Sequence, residues 1–186
     1  MNPQLQGIKF EIWGEELLRD SSSLYPNYRA IRRNVHYFQG KDHRQVDLEY
    51  LNVVSPQPFV IWELKHTSRP YLPLKLRSEK SKNGQKIRRI ENVLEELEDK
   101  RIFSKAGKAV LVTNRYFEKS LIEEASKYSQ IQLYDHDDLA RMDRERQTIF
   151  GKGLAFLGVK KNKSIDEQIN NVRVRDYRLT PYNVRM

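Results

Sequence analysis

Apolar positions recur with helical spacing over Ile8–Arg19, where Phe10, Trp13, Leu17 and Leu18 gather with Gly14 on one side and Lys9 and Glu16 face away. After the turn signal Tyr25-Pro26-Asn27-Tyr28 the pattern changes to that of strands: Ala30–Phe38, closed by Gly40-Lys41-Asp42, then Gln45–Val54, then Phe59–His66. Ser55-Pro56-Gln57-Pro58 separates the last two, its prolines favouring a turn. The polar stretch Thr67–Gly84 reads as a long loop, and Gln85–Asp99 as an amphipathic helix with Ile87, Ile90, Leu94 and Leu97 on one stripe. Ala109–Thr113 is a short apolar strand, Asn114 a helix cap, Phe117–Tyr128 a helix and Ile131–Tyr134 the last core strand. Asp135-His136-Asp137-Asp138 then opens a helix through about Arg146. The order αβββαβαβα predicts an α/β fold, because a three-strand meander followed by crossover helices requires a mixed β-sheet flanked by helices.

Asp47, Glu49, Glu63 and Lys65 interrupt the two apolar strand runs. Residues two apart on a strand share a face, so Glu63 and Lys65 stand together while Val60, Trp62 and Leu64 face the other way. Charged groups among apolar neighbours require partners. One reading is a local ion pair at a strand end; the other is a divalent-metal site, since Mg²⁺ takes one or two carboxylates with water and substrate phosphate, and a nearby lysine can offset charge on a phosphate. The second reading makes a demand on register. Asp47 shares the face of Glu63 and Lys65 only if paired residue numbers sum to an even value, for example Asp47 opposite Lys65, which requires an odd loop or a bulge. In that register Glu49 faces Glu63 as a further ligand candidate, or lies nearer the sheet margin. On the first helix, Glu11 falls at the edge of the apolar side, the acid best placed to look inward.

Composition narrows the setting. The 186 residues are 38% hydrophobic and 32% charged, enough for one domain over 1–150 with a core of its own. No cysteine is present, so disulfides and thiolate metal sites are excluded. No signal peptide or membrane-length apolar run is seen, so a soluble, intracellular protein (cytoplasmic, or host-cytoplasmic if viral) with no membrane partner is expected. A net charge of +9 and a pI near 9.6 point to a polyanion, nucleic acid before an anionic membrane surface. Arg69, Lys75, Arg77, Lys80 and Lys82 in the loop, with Lys86, Arg88 and Arg89 in the first helical turns, are candidate nucleic-acid contacts. Cations at a helix N-terminus oppose the dipole, so either a phosphate backbone favours them or they form a merely solvated face. Asp135–Asp138 offers metal ligands or a helix cap, with capping the better reading. His36, His43 and His66 are too scattered in sequence for a transition-metal site. From Gly151 the composition changes, and 151–186 forms a basic extension for which an arm, a dimer element and disorder all stand open.

Four short motifs in order carry a resemblance: Phe10-Glu11 with Glu16-Leu17-Leu18, then Val46-Asp47-Leu48, then Glu63-Leu64-Lys65, then Val110–Asn114 before a helix. Together they resemble the PD-(D/E)XK nuclease superfamily, in its Mrr restriction endonuclease and archaeal Holliday-junction resolvase branch, over about residues 8–140. Val46 stands where the superfamily name has proline, and Glu63 is nearer the resolvases than those Mrr members that carry glutamine there. The resemblance implies a restriction-endonuclease-like core and a Mg²⁺-dependent DNA endonuclease, with Mn²⁺ as substitute metal. Asp47, Glu63, the Leu64 carbonyl and Glu11 would serve the metal, Glu11 directly or through a water, with Lys65 as the catalytic lysine. It also implies DNA as partner, duplex or four-way junction, and a two-fold homodimer. An inactive nucleic-acid-binding protein of the same fold, an RNA nuclease, and an assembly protein whose charges serve solubility and ion pairing are the rival expectations.

Overall fold

The computed structural model describes residues 2–20, 28–52, 58–82, 85–154, 163–174 and 182–186. Its centre is a six-stranded mixed sheet in the order β10-β1-β2-β3-β7-β9. Helix α1 (Pro3–Asp20) leads into the meander β1 (Tyr28–Gln39), β2 (Asp42–Asn52) and β3 (Pro58–Lys65). Gln39 pairs with Asp42 across a turn in which Gly40 takes φ 59°, a conformation glycine adopts without a Cβ penalty. Strand β3 pairs antiparallel with β2 and parallel with β7 (Lys108–Thr113), and β7 pairs parallel with β9 (Ile131–Tyr134). Parallel neighbours need crossovers, which α2 (Val93–Ser104) and α3 (Lys119–Ala125) supply.

Alternation in β3 and β7 sends side chains to two cores. Trp62, Leu64, Val110 and Val112 pack with Phe10, Trp13 and Leu17 of α1. Ile61, Ala109 and Leu111 pack with Leu94 and Leu97 of α2 and Leu121 of α3. A sheet covered on both faces explains why Phe59–Leu64 is almost continuously apolar. Helix α4 (His136–Leu154) lies on the α1 side, and its Leu139 and Met142 enter that core. Asp135 accepts from the backbone N–H groups of Asp137 and Asp138, at 2.9 and 3.3 Å, so the acidic stretch caps this helix. Beyond residue 150, α5 (Ile165–Asn171) buries Ile165 and Ile169 in the α1-side core, and β10 (Tyr182–Arg185) pairs parallel with β1 at the sheet edge.

Two expected elements are replaced. Residues 85–92 are strand, not helix: β5 (Lys75–Lys82) and β6 (Gln85–Asn92) form a separate antiparallel hairpin, and the expected loop is confined to its approach. The helix begins at Val93 because the Asn92 side chain accepts from the N–H groups of Leu94 (3.1 Å) and Glu95 (3.4 Å), which fixes the N-terminus there. Lys86, Arg88 and Arg89 therefore lie on a strand, where no helix dipole opposes them. Asn114 is likewise no helix cap. Completely buried, it ties the exits of β3 and β7 together, accepting from the Thr67 N–H at 2.8 Å and donating to the Thr67 carbonyl at 3.1 Å. Between that clamp and α3, β8 (Tyr116–Phe117) pairs with β4 (Tyr71–Leu72).

Candidate active site

Strands β2 and β3 pair Leu48 with Trp62, Glu49 with Ile61 and Tyr50 with Val60, an even register, and then shift between Tyr50 and Leu51 so that Leu51 meets Pro58. The required irregularity is thus present. The register differs by two residues from Asp47 opposite Lys65: continued one step, it sets Asp47 opposite Glu63. At that step the Leu64 N–H donates to Asp47 Oδ2 at 2.7 Å, so the two strands are joined through the carboxylate. The alternation of β2 breaks at the same point. Leu48 and Tyr50 pack with α1, whereas Val46 packs on the α2 side. On β1, Asn34 lies between the residues paired with Leu48 and Val46 and takes φ 49°. The distortion leaves Asp47 half-buried at the end of the paired region.

Glu63 is buried and holds two lysines. Lys65 Nζ donates to its Oε1 at 2.6 Å and Lys100 Nζ to its Oε2 at 2.8 Å. Burial works to raise the Glu63 pKa, but the two ammonium charges outweigh it and hold the group down at about 2. Asp47 goes the other way: burial, joined by the charges of Glu63 and then Glu11, raises it well above the ordinary carboxylate range. Two carboxyls at neighbouring strand positions are thereby driven apart, one ionised and one inclined to keep its proton. For Lys65 and Lys100, burial opposes the charge and the Glu63 carboxylate outweighs it, so both are raised.

Lys100 lies one residue past the helix Gln85–Asp99 that the sequence pattern predicts, so that pattern does not single it out. It lies on the buried stripe Val93, Leu97, Lys100, Ser104 of α2, and a lysine on such a stripe is the signal that marks it. Its second partner is Glu96, 3.0 Å away and one turn earlier. Glu11 enters from the other side of the sheet, half-buried on α1 and close enough for its charge to act on Asp47. Gly14, one turn on, lets α1 approach β3: a Cβ there would meet Leu64 Cδ2 at 2.4 Å.

Glu49 faces Ile61, not Glu63, and lies far from the sheet margin. Fully buried, it forms an ion pair with Arg32, its partner across β1, and accepts from the Tyr37 hydroxyl. Among the basic candidates, Arg69, Lys75 and Arg77 are exposed. Lys80, Lys82, Lys86, Arg88 and Arg89 occupy positions on β5 and β6, and their side chains lie outside the described residues. His36 and His43, distant in sequence, meet across β1 and β2 with ring nitrogens 2.8 Å apart. Among the described residues no group of three His, Cys, Asp or Glu side chains is gathered as a metal cage.

That absence is compatible with Mg²⁺, which keeps several waters and takes one or two carboxylates plus substrate oxygens rather than a complete protein cage. Asp47 and Glu63 supply two hard oxygen donors from adjacent strand positions, and the residue after Glu63 offers the Leu64 carbonyl. The donor set fits a hard divalent cation, provided one lysine yields its oxygen of Glu63.

No family model matches the chain, and no curated protein matches it. Two solved structures are similar. Protein VC1899 from Vibrio cholerae shares 17% identity at a TM-score of 0.47, over 73% of this chain and 32% of its own length. A protein of unknown function, AF1548, shares 14% identity at a TM-score of 0.46, over 84% of this chain and 73% of its own. The chain thus spans about a third of the length of VC1899. Among the described residues no helix is long and apolar enough to cross a membrane.

Proposed function

We propose that the chain is a divalent-metal-dependent DNA endonuclease of the PD-(D/E)XK type, allied to the Mrr and archaeal Holliday-junction resolvase branch. The observation that carries this reading is the juxtaposition of Asp47 and Glu63 at the distorted end of the β2–β3 pairing, with two lysines on Glu63. Asp47, Glu63 and the Leu64 carbonyl would hold Mg²⁺ or Mn²⁺, with Glu11 contributing from α1. When bound, the ion supplies positive charge to a phosphate oxygen and makes water a better nucleophile at neutral pH. The chain's own groups do the rest. Lys65, less deeply buried than Glu63, would orient the attacking water and meet charge developing on the phosphate. Lys100 sets the Glu63 carboxylate from behind and offsets its charge before the cation arrives. The basic residues from Arg69 to Arg89 steer the phosphate backbone toward the site. A homodimer with two-fold symmetry would present two such sites to the two strands of a duplex or junction.

One observation favours a second reading. Both Glu63 oxygens are occupied by lysines, which would also suit an inactive DNA-binding protein that keeps the fold and uses the ion pairs structurally. Incubation with duplex, single-stranded and four-way-junction DNA, and with RNA, in Mg²⁺ or Mn²⁺ separates the readings. Metal-dependent nicking or cutting of DNA supports the nuclease; binding without cleavage under all conditions supports the second reading.

A further inference from the structure

The β5–β6 hairpin pairs with no strand of the six-stranded sheet, and among the described residues only Leu76, at its base, packs on a core. It forms its own two-stranded sheet and joins the body where Leu74 and Leu76 pack on the α2-side core and Val93 N–H meets the Leu74 carbonyl at 3.0 Å. A lone hairpin is at best marginally stable in water. This one also carries seven cations against two acids between Lys75 and Asn92, a net +5 out of the chain's +9. Like charges at this density repel, and a polyanion laid along the hairpin would relieve the repulsion. A second copy of the same hairpin could not, since it brings the same charge.

We propose that this hairpin is a ribbon that enters the major groove of duplex DNA beside the cut site, an inference that rests on the nuclease reading for its substrate. Three features select this partner. Each strand has eight residues, so the ribbon extends about 26 Å at roughly 3.3 Å per residue, more than the groove's width of about 12 Å. The B-form major groove admits a two-stranded ribbon, whereas the deep, narrow major groove of duplex RNA does not. Lys75–Asn92 contains no Phe, Tyr or Trp, so it lacks the stacking platforms by which single strands are held. Its place in the chain couples it to the site. The hairpin is inserted in the chain between β3, which carries Glu63 and Lys65, and α2, which carries Lys100, so it is tethered at both ends to the elements that meet at Glu63. Ile90, 67% exposed on β6, offers an apolar contact for a thymine methyl.

The test compares the full chain with a variant carrying Lys80→Gln, Lys82→Gln, Lys86→Gln, Arg88→Gln and Arg89→Gln. Binding of duplex DNA is followed by anisotropy in EDTA across a salt titration. The variant should lose about tenfold or more in affinity, and its log K against log salt slope should flatten by up to about 4.5, five charges at roughly 0.9 each. Wild type should bind duplex DNA at least about tenfold tighter than single-stranded DNA, duplex RNA or anionic phosphatidylserine vesicles. A second variant, in which Asn-Gly replaces residues 78–89 and joins Arg77 to Ile90, must show the same loss, so misfolding of one variant cannot imitate the result. An unchanged slope in either folded variant overturns the inference, as does equal binding to single strands, RNA or vesicles. If the slope is unchanged while metal-dependent DNA cleavage persists, only the groove inference falls; if wild type neither binds nor cuts DNA, the nuclease reading falls with it.

Discussion

Lys100 donates from its Nζ to Glu63 Oε2 at 2.8 Å, from within a helix that begins after the basic hairpin. This bond neutralises a buried carboxylate that a metal would otherwise attract, so lysine and cation compete for one oxygen. Lys100→Met should therefore lower metal-free stability by about 1–3 kcal/mol, the cost of removing a hydrogen bond to a buried charge. It should also enlarge the rise in Tm that saturating Mn²⁺ produces, because Oε2 is then free for the ion. Thermal melts with and without Mn²⁺ check both. A variant that melts like wild type and shifts no further with Mn²⁺ would show that Lys100 is an onlooker.

Asp47→Asn changes charge at constant shape. The amide oxygen that replaces the carboxylate can still accept from the Leu64 N–H, while the burial cost and the repulsion from Glu63 and Glu11, which together raise the Asp47 pKa, disappear. Metal-free Tm should hold or rise, and DNA affinity in EDTA should hold or rise, because the negative charge that Asp47 gains whenever it ionises beside the phosphate path is removed. If Asp47 served instead as the anionic half of a structural bridge, the variant would lose about 3–5 kcal/mol. A Tm well below wild type would exclude the metal-ligand role.

Glu49 gives the protein a pH dependence between about pH 4.5 and pH 7. Burial raises its pKa from 4.5 to about 7 despite the opposing charge of Arg32. A raised carboxyl stabilises the fold fully below the unfolded pKa, and that contribution is lost as pH climbs through the folded value. Stability should thus fall from about pH 4.5 to beyond pH 7, by up to ~3 kcal/mol for this group. Glu63 acts in the opposite window: its stabilisation is present above pH 4.5 and lost as pH falls toward about 2. Denaturant titrations from pH 5 to 9 should show a shallower decline for Glu49→Gln than for wild type. Equal slopes would mean that Glu49 stays ionised throughout.

The sheet, its crossovers and the meeting of Asp47 with Glu63 were legible because they rest on period and register, which one-residue changes alter decisively. The hairpin was not. Ile87, Ile90, Leu94 and Leu97 have helical spacing, yet Ile90 is 67% exposed and only Leu94 and Leu97 belong to the helix. The opposing signals were present: Asn83-Gly84 lies between the last strand pair, Lys82 and Gln85, and Asn92 stands three residues before Glu95. Lys100 and the Arg32–Glu49 pair were hidden for a different reason. The helix stripe marks Lys100 as buried, but the partner of each group depends on which element lies opposite, and that is decided by tertiary packing.

Cleavage of supercoiled and four-way-junction DNA in Mg²⁺, by wild type beside Asp47→Asn and Lys65→Ala, addresses the central claim most directly. The account predicts metal-dependent strand breaks by wild type, abolished by EDTA, and losses of about 10²-fold or more in both variants while their melting curves remain cooperative. Wild type that binds DNA but leaves it intact in both Mg²⁺ and Mn²⁺, or an Asp47→Asn variant that cuts at the wild-type rate, would contradict it.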